Sequence, residues 1–308
     1  MVSSMLALGV SMKNQNALNE VKQRLEKLAN KNLLYNWDFH NPVNQRGQNS
    51  YTGVGYTIDM WTLSNKHSVL TVNDGYISLT ASEGHAYLRQ PIEDVKKLAD
   101  KTITISVYVK GNTGYIGFGD NFPTGNFVGT AISTAYNDWT LVSYTLQANT
   151  LSSVAQVWLR SDSGGTLDVK CIKLEIGETS TLKDDSPADY GEQLALCQRY
   201  LVTLNPSGEP YGYVAMGVAT VSTSVINMIV PLPTQMRIKP SLSYLGNWRL
   251  NAVAWIPQSV NVSNIVLSPN STTNTVMLII SANVQLGSAY YLNANNDASA
   301  RIYLSAEI

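Results

Sequence analysis

The sequence predicts a mostly β protein: a short N-terminal α-helix, a β-sandwich, a connecting helix and a second, C-terminal β-sandwich. Three observations predict it. From Ser68 onward, short runs that alternate apolar and polar residues recur, with Gly, Asn, Asp and Pro between them. Helical spacing stands out in two places only, residues 12–30 and 187–202. No internal repeat of roughly 20–50 residues appears, which removes solenoids, propellers and β-helices. The 308 residues suffice for two domains of ordinary size. The expected division is residues 1–31 (helix), 32–186 (first sandwich), 187–202 (connecting helix) and 203–308 (second sandwich).

The helix over residues 12–30 rests on Leu18, Val21, Leu25 and Leu28, spaced three, four and three apart, with charged residues on the other faces. Such a seam serves a short coiled coil between copies of the chain, or packs the helix on its own domain. About two heptads is short for an isolated coiled coil. Trp37, Phe39 and Trp61 read as core aromatics. Asn73-Asp74-Gly75 between two alternating runs signals a hairpin turn. Gln90 to Leu98 reads as a helical or looped connector. In Lys101–Lys110, Ile103, Ile105, Val107 and Val109 share one face, and Thr104, Ser106, Tyr108 and Lys110 the other. Further strands are expected at 115–119, 139–146, 155–161 and 167–176. Asp189 or Ser186 is placed to cap the connecting helix, on which Leu194, Cys197 and Leu201 share a face. Strands then follow at 212–221, 224–230, 241–245, 260–266, 275–284, 289–292 and 300–308.

Hydrophobic residues make up 44% of the chain and charged residues only 14%, well under the roughly 25% of ordinary soluble domains. After Tyr200 only Glu209, Arg237, Lys239, Arg249, Asp297, Arg301 and Glu307 carry charge. The surface must then be built from amides, hydroxyls and Tyr, which suits packed β-structure and contact with uncharged sugars. Nucleic acid needs a basic stripe that a chain of net charge −1 lacks. Two cysteines, Cys171 and Cys197, make no disulfide framework and are expected as buried free thiols. No run is apolar for the 18 or more residues of a membrane span. MVSSMLALGVSMKNQ has an apolar patch without a charged region before it, so a secretory signal is not expected.

Several stretches carry a family resemblance. Asn32-Leu33-Leu34-Tyr35-Asn36-Trp37-Asp38-Phe39 leads into Asn41-Pro42-Val43-Asn44-Gln45-Arg46-Gly47 and then Tyr56–Trp61. With Gln90–Lys110, Lys173–Leu201 and the P-x-P-x-x-M-R-x-x-P element of Pro231–Pro240, this text resembles bacteriophage and prophage tail-fibre or minor tail proteins with a carbohydrate-binding-module-like jelly roll. The resemblance covers most of the chain and thins after Ser241. It implies a jelly roll for residues 32–186, three-fold assembly, other tail proteins as neighbours, and non-catalytic recognition of bacterial surface polysaccharide. It also places the protein in the virion tail, made in the host cytoplasm. The prolines of the P-x-P element belong at a sheet edge or crossing.

Nothing in the chain announces a reaction. His40, His67 and His85 lack ligand spacing, and H-E-x-x-H, C-x-x-C, a phosphate loop and G-x-S-x-G are absent. Glycosidases need only two carboxylates, and Asp59 with Asp120 is one pair that the fold would have to bring together. No enzyme is expected. Sugar binding rests on alternation: with Leu88, Val107, Val157 and Leu159 inward, Tyr87, Arg89, Tyr108, Trp158, Arg160 and Asp162 point outward. Pyranose C–H faces stack on aromatic rings and hydroxyls take polar partners. The resemblance implies the same place, since the concave sheet bears the ligand in such modules. The same residues equally suit an interface with a neighbouring chain, which leaves a purely structural tail or baseplate component as the alternative, and a glycan-degrading enzyme as a further one. Many such modules hold a structural calcium, but Leu167–Glu175 lacks their paired acids and Lys170 stands where a ligand belongs; no cofactor is expected.

Overall fold

The computed structural model describes residues 30–119, 127–148, 155–220, 222–253 and 259–308, with Met12, residues 14–18 and Val21 ahead of them. Packing divides the chain into two compact units, Met1–His40 with Gly75–Pro187 and Asn41–Asp74 with Ala188–Ile308. The described residues of the N-terminal segment are helical, and Leu18 and Val21 of the expected seam are exposed. Leu25 and Leu28 lie outside the described residues.

Within Asn41–Asp74, β1 (Ser50–Thr52) pairs antiparallel with β4 (Ser68–Asn73), and β2 (Gly55–Tyr56) with β3 (Thr62–Leu63). The chain reverses between β2 and β3 through Met60, at φ +72, while the Thr57 amide and hydroxyl both donate to the Trp61 carbonyl. Trp61 is fully buried, as a core aromatic should be.

The first unit holds β5 (Tyr76–Ala81), β6 (Ala86–Pro91), a 3-10 turn at Val95–Leu98, β7 (Thr102–Gly111), β8 (Gly114–Gly119), β9 (Phe127–Ile132), β10 (Tyr136–Gln147), β11 (Gln156–Ser161) and β12 (Thr166–Ile176). Gly75, at φ +85, supplies the left-handed residue of the expected turn before β5. In strand order, β5-β12-β7-β10 lie in one sheet and β6-β11-β8-β9 in the other. The chain switches sheets repeatedly, which makes the unit a jelly-roll sandwich. Ile105, Val107 and Val109 from one sheet and Leu88, Ile116, Val157 and Leu159 from the other are fully buried. Each such side chain contributes about 1.5–3 kcal/mol.

Strand β12 carries a bulge. Val169 pairs with Val109, but Cys171 pairs with Tyr108, so Lys170 is the extra residue. One extra residue reverses which face each following side chain takes. Leu167 and Val169 point inward before it, Ile172 and Leu174 after it. Without the bulge, Lys173 and Glu175 would enter the apolar core. The segment 32–39 runs beside the second half of β12: Leu33 N donates to Leu174 O (2.8 Å), Ile172 N to Trp37 O (3.0 Å) and Phe39 N to Lys170 O (2.8 Å). The Asn32 amide donates to Ile172 O and accepts from Leu34 N and Leu174 N, which gives the N-L-L opening its structural use. Phe39 is fully buried, whereas Trp37 is half-buried. The polar loop after β12 folds back over the outward side of this sheet. Thr104 Oγ1 donates to Gly177 O and Ser180 Oγ to Ser106 Oγ (both 2.7 Å), so Thr104 and Ser106 are buried although they face away from the core.

The second unit continues with α1 (Tyr190–Cys197), capped by Asp189, whose carboxylate accepts from Glu192 N at 2.8 Å. The helix is shorter than the expected 187–202. Residues 201–204 form β13 (Leu201–Leu204) instead, so Leu201 shares no helical face with Leu194 and Cys197. Val202 and Thr203 are β-branched and buried, and the ladder they join outweighs continued helix. Then come β14 (Tyr213–Val218), β15 (Val225–Pro231), β16 (Ser241–Leu245), β17 (Trp248–Ala252), β18 (Ser259–Asn261), β19 (Asn264–Leu267), β20 (Thr275–Ser281), β21 (Ala289–Ala294) and β22 (Arg301–Ser305). They form a three-stranded sheet, β13-β22-β16, and a seven-stranded sheet, β18-β17-β21-β14-β15-β20-β19, sharing a core that includes Met228, Leu250, Leu278, Leu292, Ile302 and Leu304. Strand β16 has the expected bounds. The expected strand 260–266 is two strands around Val262-Ser263, and β17 has no counterpart among the expected strands. The P-x-P element is a crossing: β15 ends at Pro231 and the chain passes to β16 in the other sheet. Buried Met236 and the Arg237 guanidinium, which donates to Ala306 O, anchor it.

Candidate functional site

The outward face of β6, β11 and β8 brings the candidate residues together. Antiparallel pairing sets Trp158 between Arg89 and Gly117, and Arg160 between Tyr87 and Tyr115. Paired residues share a face, so these side chains stand in two adjacent rows on the side away from the core. The Arg89 guanidinium lies 5.4 Å from the Trp158 ring centroid, and that of Arg160 lies 5.4 Å from the Tyr115 ring. Tyr87 meets Trp158 edge-on at 6.4 Å, and His85 meets Tyr87 at 6.1 Å. The Arg160 guanidinium pairs with Asp162 at 2.8 Å. Asn112 donates to the Asp162 carbonyl, which holds this turn in place. The cluster thus interleaves guanidinium planes with ring faces, an arrangement that fixes both. Burial raises the Tyr87 phenol above its ordinary pKa, against the Arg160 charge, which lowers it. Burial raises Tyr115 likewise, and both stay neutral hydrogen-bonding groups near neutral pH.

Tyr87, Arg89, Trp158, Arg160 and Asp162 therefore lie where alternation placed them, in one neighbourhood. Tyr108 does not join them. It sits on β7 in the other sheet, opposite Leu141 and Cys171. Alternation tells which way a side chain points relative to the core, and two sheets of one sandwich have opposite outsides. Trp158 also differs from the expectation of an open stacking platform: it is 4% exposed, with the Arg89 guanidinium over its ring and Tyr87 edge-on to it. Tyr115 was missed, although Ile116 and Phe118 inward put it outward by the same rule. Gly129 makes room for it, since a Cβ there would lie 2.5 Å from the Tyr115 ring.

Of the two carboxylates named for a glycosidase pair, only Asp59 is among the described residues. Asp59, in the second unit, is fully buried. It accepts from Gln45 N (3.0 Å) and Gln45 Nε2 (2.6 Å), and Gln45 in turn bonds Leu201 O and Thr203 N. Burial pushes its carboxyl up to about 6, against the Gln45 bonds and the Arg46 charge. Arg46 is itself paired with Glu307 at 2.6 Å. Asp59 ties Asn41–Asp74 to β13 and presents no oxygen to a substrate; Asp120 lies outside the described residues. Cys197 is buried and Cys171 half-buried, with no disulfide between them. Burial pushes the Cys171 thiol up to about 12, which keeps it protonated near neutral pH. Among the described residues no three His, Cys, Asp or Glu side chains are grouped to hold a metal ion, and no helix is long and apolar enough to cross a membrane. The Lys170 ammonium lies 4.4 Å from the centroid of the Trp139 ring.

No protein-family model matches the chain, and no curated protein matches it. Among solved structures it is similar to a CBM4 carbohydrate-binding module (18% identity over 44% of this chain and 93% of that one, TM-score 0.32). It is also similar to the CBM22-1–CBM22-2 tandem of Paenibacillus barcinonensis Xyn10C (11%, 90% and 96%, TM-score 0.34). A third is the enzymatically active domain of tailspike protein 4 of Bacteriophage CBA120 (15%, 47% and 21%, TM-score 0.31). At such identities and scores no residue role is carried over.

Proposed function

We propose that this chain is a non-catalytic glycan-binding protein of a phage or prophage tail, which recognises polysaccharide on the bacterial surface. The observation that carries the reading is the lattice of Tyr87, Arg89, Tyr115, Trp158 and Arg160 on one face of β6-β11-β8, with Asp162 at its end. Sugar C–H groups pack against the exposed parts of the Tyr87 and Tyr115 rings. Arg89, Arg160 and Asp162 take hydroxyls, as planar donors and an acceptor. Trp158 acts from beneath by holding Arg89 and Tyr87 in register, which lowers the ordering cost of binding. A shallow face of this kind binds a single chain of sugars weakly, and several copies on one tail supply the avidity. The chain then works as a homo-oligomer, a trimer in the tail-fibre case, beside other tail proteins in the virion.

Binding of purified protein to host cells, and its block of phage adsorption, test this directly. Tyr87→Ala and Arg160→Ala should each weaken cell binding about tenfold, in line with lost stacking and charged hydrogen bonds, with the oligomer intact. A broken oligomer with unchanged cell binding would assign this face to contacts between tail components instead. Release of reducing ends from envelope polysaccharide would overturn the non-catalytic part.

A further inference from the structure

We infer that the second unit carries a separate pocket for a neutral sugar residue, between the turn joining β16 to β17, the β18–β19 turn and the loop after β21. It rests on the glycan-binding reading and adds a second site to it, of different chemistry. The pocket has a volume of about 310 Å³, at the small end of the ~300–1,000 Å³ of small-molecule sites. The carboxamides of Asn247, Asn261 and Asn295, the Ser263 hydroxyl, the Tyr244 side chain and Trp248 line it, and no lining side chain is charged.

The lining is held by the backbone around it. Asn295 N donates to Asn247 O (2.9 Å), Val262 N to Trp248 O (3.0 Å), and the Trp248 indole to Leu245 O (2.9 Å). The Asn295 amide donates to Asn261 Oδ1 (3.3 Å), which fixes both carboxamides relative to each other. Asn247 gives its backbone N–H and its amide to Asp297 Oδ2, while Ser299 occupies Oδ1, so the nearby carboxylate is already engaged. Gly246 allows the turn: at φ +74 a Cβ would lie 2.6 Å from Ala300 Cα. Among the described residues these bonds leave the Asn261 amide hydrogens and the Asn247 and Asn295 side-chain carbonyls for a ligand. A carboxamide donates and accepts at adjacent atoms, as vicinal hydroxyls do, so three of them around one pocket match a polyol ring. An anionic sugar would meet amide groups and no cation, so its carboxylate would go without a charged partner, at a cost. The face on the first unit, with its two arginines, has no such bias against anions.

The test is saturation-transfer NMR on the full chain with glucose, galactose, mannose, rhamnose, N-acetylglucosamine and glucuronate. At least one neutral sugar should give a signal and glucuronate none at this pocket. Asn261→Ala combined with Asn295→Ala should weaken the neutral sugar about tenfold or more, the scale of two lost hydrogen bonds. Asn227→Ala, exposed on β15, should leave it unchanged. Thermal unfolding reports whether the double variant folds, and Asn261→Ala alone, at an exposed position, serves if it does not. A neutral-sugar signal that persists in a folded variant overturns the pocket; if Tyr87→Ala then abolishes it, the face on the first unit remains the binding site. A wild-type protein that binds no sugar but retains envelope polysaccharide in a pull-down also overturns the pocket alone. Loss of both overturns the reading on which it rests.

Discussion

Lys173 is 1% exposed, yet its ammonium is fully served: Asp185 at 2.7 and 2.8 Å, the Thr181 hydroxyl at 2.8 Å, and Glu175 at 3.7 Å. Glu175 is fully buried and accepts from the Thr181 amide and hydroxyl. In sequence, Lys-Leu-Glu on a strand reads as a solvated face, because the partner Asp185 stands in a loop twelve residues on. Removing one member of such a cluster leaves the opposite charge buried. Lys173→Met should therefore cost about 3–5 kcal/mol in urea denaturation, with part recovered when Glu175→Gln is added. Asp59 carries a pH dependence of its own. Its folded-state pKa of about 6 lies above the ordinary carboxylate value, so the folded chain holds this proton more tightly than the unfolded chain. Its contribution is fully present below about pH 4 and is lost as pH rises through about 6. From pH 4 to 7 the stability of Asp59→Asn should gain on that of the wild type by on the order of 2–3 kcal/mol. Parallel pH profiles from denaturation would sink this.

At the scale of elements, local rules worked where the chain's neighbours in sequence decide the outcome. The Asp189 cap is one: Asp189→Ala should cost about 1 kcal/mol, read as an earlier melting of α1 by amide hydrogen exchange. The inward sides of β6, β7 and β11 were equally legible, because period two survives any sandwich. Elements whose fate depends on distant partners were not. Residues 201–204 leave the helix because β22 offers them a ladder. The β12 bulge appears only as two apolar alternations out of phase, Leu167 and Val169 against Ile172 and Leu174. Deleting Lys170 leaves Val169, Ile172 and Leu174 inward in one unbroken alternation, so the chain should still fold, seen as a well-dispersed amide NMR spectrum; loss of dispersion would remove this account of the bulge.

For the whole molecule, assembly is the open quantity that one measurement decides. Size-exclusion chromatography with light scattering should find the full chain oligomeric and a chain starting at Asn32 dissociated, since Leu18 and Val21 of the helical segment are exposed. A monomeric full chain would remove the oligomer from the proposed function. An oligomer that survives the truncation would point to the outward face of the seven-stranded sheet, where Tyr213, Met216, Val218 and Ile229 are exposed. The sequence by itself determined the class of the molecule. Period-two runs, turn residues and scarce charge permit packed sheets, and such patterns are local, so they can be read one segment at a time. It also determined which way Tyr87, Arg89, Trp158 and Arg160 face. Only the tertiary structure decided that Tyr108 belongs to another sheet, that Arg89 and Tyr87 pack against Trp158, and that Asn247, Asn261 and Asn295 converge on one pocket. Those are facts of pairing between strands far apart in the chain, and pairing is chosen by the burial of the whole core, which no single segment encodes.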